Sequence, residues 1–156
     1  MKVNHVLIPT DRSAFSLTIL PSIEQFLAPA YNALIFLHVA EPPLHARHLD
    51  EQQFSAQLQR LQEALTAEVT LELQPLTDPL RAKGYAVAIE TALGEPLPEI
   101  QRFVAHHQIG LLALTTHGRS GLSRVLFGSV AQQLIQQLTI PMLLFHPAED
   151  HGAVTL

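Results

Sequence analysis

Three of the seven glycines in this 156-residue chain fall between positions 118 and 128. They lie in Thr115-Thr116-His117-Gly118-Arg119-Ser120-Gly121 and, after residues 122–127, in Gly128-Ser129-Val130. Glycine lets backbone N–H groups approach a ligand closely and takes up positive φ. The first N–H groups of a helix are unpaired and sit at the positive end of its dipole. A glycine loop that opens a helix near position 128 is therefore suited to an anion, most naturally phosphate. It is not a P-loop, which needs Gly-x4-Gly-Lys-[Ser/Thr], because no Lys follows Lys83. The dinucleotide pattern Gly-x-Gly-x-x-Gly is absent as well. A second polar stretch, Pro9-Thr10-Asp11-Arg12-Ser13, follows an apolar run at 3–8. Asp11 can serve a ligand or cap the next helix, and both roles can hold at once.

Other polar residues carry less. Arg119 and Arg124 can pair phosphate or stay solvated, and Arg119 has the better claim because it follows Gly118 directly. His45 and His48 have a spacing that clamps a metal on a helix, but no third ligand is in view. His106-His107 ends a helix, where a partly charged imidazole suits the dipole. Ser129 has no evident base partner, so it is not read as a nucleophile.

Five apolar runs must position these loops, at 3–8, 33–39, 85–92, 109–114 and 141–146. Helical patterns separate them. Ser13 can cap the first, running to about Leu27, with Pro21 kinking or splitting it. Asp50 opens the second, with Phe54, Leu58, Leu61 and Leu65 on one face. Pro75 is expected to interrupt it, Asp78-Pro79 to start afresh and Gly84 to end it. Gly94-Glu95-Pro96 turns into a third helix, from Leu97 to about His107, and a fourth covers 128–138. Strands apolar on both faces, alternating with helices, predict an α/β fold with a parallel sheet covered on both sides. In such a sheet the site lies at the carboxyl ends of the strands, at a topological switch point.

Composition bounds the function. Nine Lys and Arg stand against 14 Asp and Glu, a net charge of -5, which disfavours a nucleic-acid binder. Only 15% of residues are charged, against about 25% ordinarily. That scarcity puts an oligomer in view. The absence of Cys excludes thiol catalysis and thiolate metal sites. Nine His make acid matter to the charge balance. No apolar stretch approaches the ~20 residues of a membrane span, and the first run is too short for a signal-peptide core. The expectation is one cytoplasmic domain, 1–147, with a loose tail at 148–156.

Thr115-x2-Gly118-x9-Gly128-Ser129 resembles the signature of the universal stress protein family, Gly-x2-Gly-x9-Gly-[Ser/Thr]. Val6-Leu7-Ile8-Pro9-Thr10-Asp11, Leu37-His38-Val39, Gly94-Glu95-Pro96 and Ile140-Pro141-Met142-Leu143-Leu144-Phe145 resemble its flanking segments. The resemblance spans the chain to about Phe145. It implies a five-stranded parallel sheet in the order 3-2-1-4-5, with helices on both faces and the switch point between strands one and four. It also implies a protein that binds ATP, or ADP or AMP, with Mg held through the phosphates; a regulatory role is expected, and hydrolysis slow at most, because no general base stands out near the phosphate loop. Carried over, Pro9, Thr10, Asp11 and Val39 hold the adenosine. Thr115, Thr116, Gly118, Arg119, Ser120, Gly121, Gly128, Ser129 and Val130 form the loop and helix start that hold ribose and phosphates. A homodimer through strand 141–146 is implied too. Two residues depart from the family pattern. Thr115 replaces the first motif glycine, and its side chain can bond a ligand or crowd it out. Some members without the glycines do not bind ATP, so a dimeric interaction module is the alternative. Gly110 stands where many members have Asp, a difference expected to bear on folding.

Overall fold

The computed structural model describes residues 3–42, 51–116 and 129–147. The apolar runs form β1 (Asn4–Pro9), β2 (Asn32–Ala40), β3 (Ala86–Leu93), β4 (Ile109–Thr115) and β5 (Met142–Phe145). They make one parallel sheet in the order β3-β2-β1-β4-β5. Between them lie a 3-10 turn (Ser16–Ile19), α1 (Leu20–Phe26), α2 (Glu51–Ala82), α3 (Pro96–His106) and α4 (Ser129–Gln137).

Strand alternation splits the core into two layers. Val6, Ile8, Leu34, Phe36 and Ala113 face Ile19, Ile23, Val69, Leu73 and Leu80, so α1 and α2 cover one face. Leu7, Leu37, Leu112 and Leu114 face Ile100 and Leu134, so α3 and α4 cover the other. This is why β1, β2 and β4 read as continuous apolar runs. Among the described residues no helix is long and apolar enough to cross a membrane.

The expected helix after β1 is split in two, with Pro21 in the first turn of α1, where its missing N–H costs nothing. The Ser13 hydroxyl accepts the Ser16 N–H at 3.1 Å, so it caps the turn before the 3-10 segment. The expectation at Pro75 and Asp78-Pro79 is corrected, because α2 runs through both prolines for 32 residues. Val69, Leu73, Thr77 and Leu80 are buried at helical spacing, whereas Pro75 and Pro79 face water. The packed face holds the helix across the bonds each proline removes. Gly84 does end it, at φ 93°. Tyr85 N–H donates to Leu80 O at 3.1 Å and Gly84 N–H to Arg81 O at 2.9 Å, which closes a Schellman motif. Asp50 lies outside the described residues.

Gly110 serves the fold. The β1–β4 register shifts between His5 and Val6, beside Gly110. A Cβ there would stand 2.0 Å from Asn4 Oδ1, whose side-chain amide donates to Asn32 Oδ1.

Candidate functional site

The β1–β4 pairing brings Pro9-Thr10-Asp11 next to Thr115, at the carboxyl ends where the strand order reverses. A cavity of about 270 Å³ opens there. Its described walls come from the segment after β1, from Leu37 and Val39 of β2, from Pro96 and Ile100 of α3, from Leu114 and Thr115 of β4, and from Val130, Ala131 and Leu134 of α4. Most of the lining is apolar, with Thr10, Asp11, Ser16 and Thr115 supplying the polar groups. A largely apolar cavity with a few convergent polar groups has the make-up of a small-molecule site. A larger groove of about 570 Å³ runs past Gln62, Thr66 and Leu71, but its walls come from α2 alone. It is a helix surface rather than a site where elements converge.

The polar groups at the cavity are tied together. Thr10 N–H extends the β1–β2 ladder to Leu37 O at 2.9 Å. The Thr10 hydroxyl accepts the Arg12 N–H at 2.9 Å and shares a 2.8 Å hydrogen bond with the Ser16 hydroxyl. Arg12 takes φ 67°, which lets the chain turn back. Its guanidinium reaches Glu68 at 2.5 Å and Glu72 at 2.8 Å on α2. Asp11 Oδ1 accepts the Ser13 N–H at 2.9 Å and the Ser13 hydroxyl at 2.5 Å. Burial pushes the Asp11 carboxyl up, but the hydrogen bonds from Ser13, the Ser16 hydroxyl and its own backbone hold it below its ordinary 3.8. Asp11 is thus a carboxylate at neutral pH. It holds the turn through Ser13 rather than capping the helix that follows, since neither the 3-10 turn nor α1 has a side-chain hydrogen bond at its N-cap residue.

Pro9, Thr10, Asp11, Val39, Thr115 and Val130 all line the one cavity. Thr115 donates its hydroxyl to Ser16 O at 3.2 Å, so the residue that replaces the motif glycine ties β4 to the 3-10 turn. Thr116 is placed elsewhere than expected. It is buried on the β5 side, with its N–H 2.7 Å and its hydroxyl 3.3 Å from Phe145 O. Ser129 is the exposed first residue of α4. Gly118, Arg119, Ser120, Gly121 and Gly128 lie outside the described residues, as do His45, His48 and Arg124. Ile100 and Leu134 are not marked by the sequence pattern, and Leu37 and Pro96 enter it only as parts of flanking segments, although Leu37 shares a strand face with Val39. Their signal is only apolarity, which marks core and ligand pocket alike.

The model of the universal stress protein family matches residues 2–146. Universal stress protein MJ0577 of Methanocaldococcus jannaschii is 24% identical over 153 residues, covering 89% of this chain and 92% of that protein. The solved MJ0577 structure superposes with a TM-score of 0.68 at 23% identity, over 96% of this chain and 99% of that one. A universal stress protein family protein from Arabidopsis thaliana with AMP bound gives 0.64 at 13% identity, over 97% and 96%. A universal stress protein in complex with cAMP gives 0.60 at 18% identity, over 95% and 100%. At these identities the structural likeness is one of fold.

Proposed function

The chain belongs to the universal stress protein family, and from that membership we propose that it binds the adenosine part of an adenine nucleotide in the cavity between β1, β2 and β4. The observation that carries this reading is the convergence of Pro9, Thr10, Asp11, Val39, Thr115 and Val130 on one largely apolar cavity at the switch point. Two solved relatives of the same fold hold AMP and cAMP, which supports an adenine ligand. The apolar walls accept the base, and the Asp11 carboxylate accepts hydroxyl protons. The phosphates face the start of α4 at Ser129 and Val130, accompanied by Mg in the ATP form.

A binding and regulatory role fits better than turnover. Asp11 is the one titratable side chain among the described lining residues, and its Oδ1 is engaged by Ser13. Slow hydrolysis at most is part of this proposal.

Thermal denaturation with AMP, cAMP, ADP and Mg-ATP tests the reading. A ligand at roughly a hundred times its Kd raises stability by about 2.7 kcal/mol. No shift with any of the four would leave the alternative, a dimeric interaction module without nucleotide. One observation favours a dimer in either case. Leu144 lies on β5, an edge of the sheet, and is 41% exposed.

A further inference from the structure

We propose that His38 is a positioning residue for this site, fixing the peptide that carries Asp11 although its own side chain is not among the cavity's lining. The inference rests on the nucleotide reading of the cavity and adds a residue to it. Leu37 and Val39 turn their side chains into the cavity. Strand alternation sends the intervening His38 to the opposite face, where it is only 9% exposed. From there its Nδ1 lies 2.9 Å from the carbonyl oxygen of Thr10. That contact requires Nδ1 to carry the proton, since a carbonyl only accepts.

The consequence is geometric. Thr10 is the last residue that the sheet holds, through its N–H to Leu37 O. With His38 on its carbonyl, the residue is fixed through both of its backbone polar groups by successive residues of one strand. The next peptide begins Asp11, and the one after it enters the left-handed turn at Arg12. An Asp11 carboxylate held in this way meets a ligand without first being ordered, and pre-organisation of that kind appears directly as affinity. A hydrophobic residue at 38 would fill the space but leave the Thr10 carbonyl buried without its partner.

The test compares the parent with His38→Asn and His38→Leu. The Asn side-chain amide can donate from nearly the place of Nδ1, whereas Leu cannot donate. AMP affinity is measured by calorimetric titration, and exchange of the Arg12 and Ser13 amides is followed by NMR without ligand. The expected result is affinity close to the parent's for His38→Asn and a loss of about tenfold for His38→Leu. The Arg12 and Ser13 amides should exchange faster in His38→Leu alone. Parent-like affinity and exchange in a folded His38→Leu would overturn the proposal, and so would equal losses in both variants. If the parent itself binds no AMP, the nucleotide reading fails, and the amide exchange still decides whether His38 holds the turn. If His38→Leu does not fold, failure of His38→Asn to keep parent-like exchange overturns the proposal.

Discussion

Thr115 shows how one side chain changes the surroundings of a candidate site. Where the family signature has bare backbone, this chain has a β-branched residue whose hydroxyl donates to Ser16 O. Ser16 in turn shares a hydrogen bond with Thr10, so the ends of β4 and β1 are linked through the 3-10 turn. The spacing of the signature identified the position. It could not reveal the hydroxyl's partner, which lies 99 residues earlier in the chain. Replacing Thr115 by Val keeps the shape and removes the donor. The expected cost is about 1 kcal/mol of stability, measured by urea denaturation, and an unchanged midpoint would show that the bond holds nothing. Thr116, its neighbour, bonds in the other direction. A motif groups adjacent residues, but successive residues at a strand end face different ways, and Thr116 serves β5.

At the scale of elements, the order of strands and helices was legible because each strand of a two-sided parallel sheet is a short apolar run. The helix α2 was misread because proline was weighed locally. Its buried register at Val69, Leu73, Thr77 and Leu80 passes on either side of Pro75 without changing face. Long-range packing against β1, β2 and β3 then outweighs a missing hydrogen bond on the wet side. The penalty is still present in the native state. Pro75→Ala restores an N–H toward Leu71 O on an exposed surface, and is expected to raise stability by about 1–3 kcal/mol. Calorimetry checks the sign, and a loss of stability would mean that the proline is part of the packing.

For the whole molecule, the two edges of the sheet differ. On β3, the Gln62 side chain of α2 donates to Thr91 O at 2.7 Å and to the Thr91 hydroxyl at 2.6 Å. That helix covers its edge. On β5, Leu144 stands out to solvent, and an unguarded edge is where strands of two copies pair. We therefore expect a dimer through β5, with Leu144→Glu giving half the mass by light scattering. A full-size particle in that variant would move the interface elsewhere. A low content of charge, evident from composition alone, accords with a sheet whose two faces are both covered by helices. The adenine nucleotide proposed at the switch point is tested by mapping AMP onto the isotope-labelled protein by NMR. Binding in the cavity should give saturable shifts at the amides of Thr10, Asp11, Val39, Thr115 and Val130. Shifts confined to the outer face of α2 between Gln62 and Gln74, or none at all at millimolar AMP, would contradict it.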